Sequence, residues 1–200
     1  MNCTVYSMTA RQVVLFHSAY GRRPGVHWFA DQLRAAGHTV HTPDLFDGET
    51  FEEASAGTRK RDAVGIPELI RRTQVAVAEL PEDLVYAGFS MGSASAAFLA
   101  ATRPGARAGI LMCGAITPAR WGGEGWPAVP VQVHYTADDP WIDPAEGPAL
   151  GKLVQAAGAR FELHTYPGSS HLFADPDLPD YQADSAAKMI ERVLSFIASV

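Results

Sequence analysis

Leu84-Val85-Tyr86-Ala87-Gly88-Phe89-Ser90-Met91-Gly92-Ser93-Ala94-Ser95-Ala96-Ala97-Phe98-Leu99-Ala100 runs from a short apolar segment through a Gly-Phe-Ser-Met-Gly core into an alanine-rich tail. Leu84 to Ala87 reads as a buried strand and Ser93 to Ala100 as a helix. A G-x-S-x-G set between a strand and a helix is a nucleophile elbow, a turn so sharp that the serine is held in a strained conformation. A side chain at either flanking position would collide with the neighbouring strand or helix, so Gly88 and Gly92 are there for want of a Cβ. With 18 glycines in 200 residues, chance alone supplies roughly 0.1 such patterns. The flanking segments, and the rest of the chain, carry the reading.

Around this unit, apolar runs of strand length alternate with stretches of helical period, the pattern of a parallel sheet covered by helices on both faces. Gln12 to His17 reads as a strand. Pro24 to Ala36 reads as a helix with Val26, Phe29, Ala30 and Leu33 on one face and Gly37 at its C-terminal end. His38 to Thr42 is a strand ended by Pro43, and Asp44 to Arg61 reads as loop with short helical pieces. Pro67 to Glu79 is a helix, Ala106 to Cys113 an apolar strand, and Val129 to Tyr135 another strand. Pro144 to Ala157, Arg160 to Thr165 and Gln182 to Ser199 read as helix, strand and closing helix. No repeat, low-complexity tract or linker interrupts residues 1–200, so the expectation is one α/β domain.

A serine hydroxyl is a poor nucleophile until a base takes its proton, and that base needs an orienting carboxylate. With a strand-to-helix elbow the order along the chain is serine, acid, histidine, each after a strand. Asp138 and Asp139 follow the strand ending at Tyr135, and His171 follows the strand ending near Thr165. The developing oxyanion needs two N–H donors. Met91, at the positive end of the elbow helix, is one. The loop His17-Ser18-Ala19-Tyr20-Gly21 is either the source of the other or a simple connection.

The segment Gly114 to Pro127 is Gly-rich, carries Trp121 and Trp126, and follows a strand C-terminus, where open α/β sheets place ligands. Trp121, Trp126 and Trp141 are candidates for a substrate pocket or for ordinary packing, and Tyr20 and Phe173 are further pocket candidates beside the oxyanion loop and the histidine. His38 and His41 have no metal-ligand spacing, so no metal and no cofactor is expected. Cys113 ends an apolar strand and reads as a small buried hydrophobe.

A net charge of −6 argues against a nucleic-acid partner. Arg59-Lys60-Arg61, the one dense basic cluster, is followed by Asp62 and reads as a solvated helix start. Two cysteines, Cys3 and Cys113, do not make a disulfide framework, and Val13-Val14-Leu15-Phe16 is too short for a signal peptide or membrane span. A cytoplasmic protein without a membrane partner is the expectation.

With these residues placed, the chain resembles the dienelactone hydrolase family of α/β-hydrolases. The likeness runs through Leu15-Phe16-His17-Ser18-Ala19-Tyr20-Gly21, Phe29-Ala30-Asp31-Gln32-Leu33-Arg34-Ala35-Ala36-Gly37-His38 and Thr42-Pro43-Asp44-Leu45-Phe46. It continues through the elbow, Asp139-Pro140-Trp141 and Tyr166-Pro167-Gly168-Ser169-Ser170-His171. The resemblance implies an α/β-hydrolase fold with minimal or no cap domain. In that fold the acid precedes Pro or His and two apolar residues, which favours Asp139 in Asp139-Pro140-Trp141-Ile142 and leaves Asp138 to cap the turn. Ser18 occupies the place of a glutamate that interacts with the elbow thiol in the cysteine-bearing members, and Ala19 is then the second oxyanion donor. Arg22, Arg23, Arg59 and Arg120 are candidates for binding a substrate carboxylate. The implied activity is hydrolysis of a small carboxylic ester or lactone by Ser90, His171 and Asp139. Thioester cleavage or acyl transfer on the same residues is the alternative within enzymes, and a non-catalytic binding protein the alternative outside them.

Overall fold

The computed structural model describes residues 10–200; Cys3 lies outside them. One six-stranded sheet, every neighbouring pair parallel, runs in the order β2-β1-β3-β4-β5-β6. Its strands are β1 (Gln12–Phe16), β2 (Thr39–His41), β3 (Leu84–Phe89), β4 (Ala108–Met112), β5 (Val131–Thr136) and β6 (Phe161–Tyr166). The helices are α1 (Pro24–Ala35), α2 (Ala54–Val64), α3 (Ile66–Ala76), α4 (Met91–Thr102), α5 (Glu146–Ala156) and α6 (Ala183–Ala198), with a single 3-10 turn at Pro118–Trp121.

The chain leaves β1 for β2 on one side and returns to place β3 on the other. Because parallel crossovers are right-handed, reversing the direction of travel puts the connecting helices on opposite faces. Accordingly Val13 and Leu15 of β1 pack with Val26, Phe29 and Leu33 of α1 and with Met189, Val193 and Phe196 of α6. Val14 and Phe16, one residue out of phase, pack with Leu69 of α3, Ala96 and Leu99 of α4, and Leu150 and Val154 of α5. Both faces of the central strands are thus dry, which is why β3 and β4 are buried at every position and read as continuous apolar runs. The reversal between β1 and β3 leaves a crevice at their C-terminal ends, the place where open α/β sheets bind ligands.

Two expectations are corrected. Residues 44–53 are loop as expected, but one continuous helix, α2 at Ala54–Val64, stands in place of short helical pieces, and Arg59-Lys60-Arg61 lies in its second half, not at its start. This helix buries only Gly57, so no apolar stripe announces it in the sequence. Gly57 is buried because the Ala19 carbonyl sits where its Cβ would be. Lys60 pairs with Glu49 and Arg61 with Asp62. Gly37, by contrast, ends α1 as expected, with φ +93° and its N–H donating to Arg34 O at 2.9 Å.

Candidate active site

Ser90 stands between β3 and α4 with φ 51° and ψ −112°, a region that costs a non-glycine residue about 1–3 kcal/mol. The surroundings hold it there from both sides. Its N–H donates to Met112 O on β4 at 2.7 Å, and its carbonyl accepts from the Ser93 N–H at 2.9 Å and the Ser93 hydroxyl at 2.6 Å. A Cβ on Gly88 would overlap the Gly92 carbonyl, and one on Gly92 would lie 2.5 and 2.6 Å from the carbonyl oxygens of Phe16 and His17. Both glycines are therefore required by close backbone approach. A third glycine, Gly114, has the same role unannounced by any motif, since its Cβ would overlap the Ser93 hydroxyl that supports Ser90.

The Ser90 hydroxyl lies 2.7 Å from His171 Nε2, and His171 Nδ1 lies 2.7 Å from Asp139 Oδ2. An ionised carboxylate only accepts hydrogen bonds, so Nδ1 carries the proton and Nε2 is left to accept from the serine. Asp139 is buried, and its other oxygen accepts from the Trp141 N–H at 2.9 Å. Asp138 is exposed and makes no such contact; its backbone N–H donates to Gly168 O. The histidine loop is fastened to β5 by the Thr136 hydroxyl on Ser170 O and to the following segment by the Ser170 hydroxyl on Asp180 O. The Trp141 ring tilts over the His171 imidazole at 5.9 Å.

The backbone amides of Met91 and Ala19 donate to no protein acceptor among the described residues. The Ser18–Ala19 peptide is held in direction by its own carbonyl. His17 Nε2 accepts from the Leu45 N–H at 2.9 Å, which leaves Nδ1–H to donate to Ser18 O at 2.7 Å. Complete burial keeps His17 below the ordinary histidine value, despite the opposing pull of the Ser18 carbonyl and of Asp44. The Ser18 hydroxyl turns back on its own loop and accepts from the Tyr20 N–H.

A cavity of about 660 Å³ opens beside Ser90 and His171, between α2–α3 on one side and the segment from Cys113 to Glu146 on the other. Trp121 and Trp141 line it. Three other expected pocket residues do not. Trp126 is buried in the core on this face of the sheet with its indole N–H on Val129 O, since a buried indole needs an acceptor. Phe173 is fully buried against Tyr166 on the opposite face of the sheet. Tyr20 packs on that same face beside Arg23.

Of the four candidate arginines only Arg120 lines the cavity, where it pairs with Glu146. Arg22 reaches Thr42 O, Arg23 is buried on Phe51 O and Glu52, and Arg59 is not on the cavity wall. Sequence reasoning missed Arg61, Leu69, Ile70, Thr73 and Phe98, all on the cavity wall. Leu69, Ile70 and Thr73 share one face of α3, with Arg61 on α2 and Phe98 on α4, and no local pattern says what these helices will cover. Cys113 also touches the cavity, at φ 56° and fully buried. Burial, reinforced by the nearby Asp139 charge, pushes its thiol well above the ordinary value, the state of an unreactive thiol. No three His, Cys, Asp or Glu side chains gather as metal ligands among the described residues, and no described helix is long and apolar enough to cross a membrane.

A parallel sheet in this strand order, with the elbow serine at its crevice, defines an α/β-hydrolase. The dienelactone hydrolase family model matches residues 4–200, and the chain belongs to that family. Among solved structures it is similar to the dienelactone hydrolase-like promiscuous phosphotriesterase P91 from metagenomic libraries. The identity is 22%, the TM-score 0.81, and the match covers 96% of this chain and 87% of that one. It is also similar to m3DLH (18% identity, TM-score 0.77, 98% and 89% covered). Esterase 2 of Thermogutta terrifontis matches at 20% identity and TM-score 0.61, with 95% and 83% covered. No curated protein matches. At these identities the structural likeness establishes the fold, and the family makes the chain a hydrolase.

Proposed function

We propose that this chain is a serine hydrolase that cleaves a carboxylic ester or lactone. The observation that carries the reading is the unbroken line from the Ser90 hydroxyl through the His171 imidazole to the buried Asp139 carboxylate, 2.7 Å at each step, at the mouth of the cavity. In this reading Ser90 Oγ attacks the carbonyl carbon while its proton passes to His171 Nε2. Asp139 stabilises the imidazolium and keeps the tautomer correct. The Met91 and Ala19 amides donate to the oxyanion, aided by the positive end of α4. His171 then returns the proton to the leaving alcohol, and water repeats the sequence on the acyl-enzyme. This chemistry needs no cofactor.

The test is a fluorophosphonate probe and a phenyl ester. The expected result is labelling of Ser90 alone and loss of activity by a factor of about 10⁴ or more in Ser90→Ala. Labelling elsewhere, or an active Ser90→Ala variant, overturns the reading.

A further inference from the structure

The cavity beside Ser90 has a composition that selects among esters. Three large hydrophobic side chains are strongly exposed among the described residues, Ile66, Val75 and Trp141, and two of them, Ile66 and Trp141, stand on this cavity's rim. Leu69, Ile70, Phe98, Ile116 and Ile142 line the space behind them, a wall that suits an apolar chain. Charge on the wall points the same way. Two arginines, Arg61 and Arg120, face three carboxylates, Asp62, Asp143 and Glu146. Arg61 is paired with Asp62 and Arg120 with Glu146. Both cations on the wall thus already have a carboxylate partner, and the carboxylates outnumber them by one, a balance that disfavours an anionic substrate.

Besides these charged groups and the Ser90–His171 pair, the wall carries a pair of hydroxyls. The Thr73 hydroxyl on α3 and the Ser95 hydroxyl on α4 lie 2.8 Å apart, both buried and both on the cavity wall. Two hydroxyls bring two hydrogens, and their mutual bond uses one. Neither oxygen makes another hydrogen bond among the described residues, so one O–H remains to be donated into the cavity. Ser95 is five residues beyond Ser90, which places it about 7 Å along α4 from the nucleophile.

We infer that the site takes neutral esters with an apolar chain that carries an uncharged hydrogen-bond acceptor, a ketone or ether oxygen, where it reaches Thr73 and Ser95. This specificity rests on the proposed serine hydrolase reading. A buried donor left unpaired by a plain alkyl chain is a penalty that the oxygen-bearing chain relieves.

The experiment compares matched substrates by proton release at constant pH. One pair is phenyl hexanoate and its analogue with a ketone on the carbon before the chain end. The other is hexyl acetate and its ketone analogue, because either arm of an ester can occupy the cavity. Monophenyl adipate is the anionic counterpart. The expected result is a kcat/KM ratio of about fivefold in favour of the ketone in one pair, the effect of one neutral hydrogen bond. The adipate ester should fall at least tenfold below phenyl hexanoate. Each single variant, Thr73→Val or Ser95→Ala, still holds one hydroxyl and keeps part of the ratio; the double variant brings it to about one.

Ratios of one in both wild-type pairs, a ratio that survives the double variant, or an adipate ester as good as the hexanoate each overturn the inference. Because the first and third outcomes are read on the wild-type protein, a double variant that fails to fold does not rescue it. Ser90-dependent turnover without discrimination refutes this specificity alone, whereas turnover that persists in Ser90→Ala refutes the hydrolase reading beneath it.

Discussion

Gly92→Ala is the substitution that best separates the geometry of the elbow from its composition. The added Cβ would sit 2.5 Å from Phe16 O and 2.6 Å from His17 O, where a carbon–oxygen contact needs about 3.3 Å. The start of α4 must therefore withdraw from β1 by about 0.8 Å. That movement stretches the 2.7 Å contact between Ser90 Oγ and His171 Nε2 by up to the same amount, to about 3.5 Å at the limit, beyond a useful hydrogen bond. It also separates the Met91 amide on α4 from the Ala19 amide beyond β1, so the two proposed oxyanion donors no longer converge.

Strain of this size costs about 1–3 kcal/mol, offset by up to about 1 kcal/mol because alanine is the better helix former. For a chain of this length each kcal/mol of net loss lowers the Tm by roughly 2–4 °C. Misplacement by such a distance costs activity about 10²-fold. The assay is kcat/KM on phenyl acetate beside a thermal melt, with Gly37→Ala as the comparison. Gly37 has φ +93° and nothing near its Cβ position, so its alanine variant should lose about 1 kcal/mol of stability and no activity. Wild-type kcat/KM in Gly92→Ala would refute the argument from close approach.

Replacing Asp139 by Asn should lower kcat by about 10⁴, through loss of the correct His171 tautomer, while Asp138→Asn stays within about twofold; steady-state kinetics of the two variants decide, and the opposite ranking rules out the assignment. Stability should also fall in acid below neutrality. Burial holds His17, and still more His134, below the ordinary histidine value of 6.5, with His164 and Arg192 adding to the effect at His134. Both are neutral in the folded chain, so the unfolded chain binds more protons as pH drops through 6.5. Their stabilisation is complete above that pH and declines below it, by up to about 1.4 kcal/mol per pH unit for each histidine. Urea melts at pH 8 and pH 5.5 measure this, and a stability that is flat or rises towards acid contradicts it.

Much of the architecture was legible because its signals are local. The strands buried on both faces announce themselves as apolar runs, and α1 carries its stripe of Val26, Phe29, Ala30 and Leu33. The helix α2 was not legible, because a helix that buries one glycine has no apolar period to show. Trp126 and Phe173 were misplaced for a related reason. An aromatic ring near a loop is equally suited to a pocket wall and to a core, and only the path of the chain decides between them.

The spacing of Ser90, Asp139 and His171 after successive strands, and the glycines around the serine, are properties of sequence alone, because each is set by the backbone of one strand–loop unit. The sequence also carries the family, through motifs spread along most of its length. Convergence was decided by the tertiary structure. Thirty-two residues separate Asp139 from His171 and 81 separate Ser90 from His171, and hydrogen-bond distance between them exists only once β3, β5 and β6 take their places in the sheet. Which aspartate turns inward depends on the turn after β5, where Asp139 is buried and Asp138 faces water. The cavity wall is the most tertiary feature of all, since α3, α4 and the Trp121 turn meet there by packing and no local pattern records their contact.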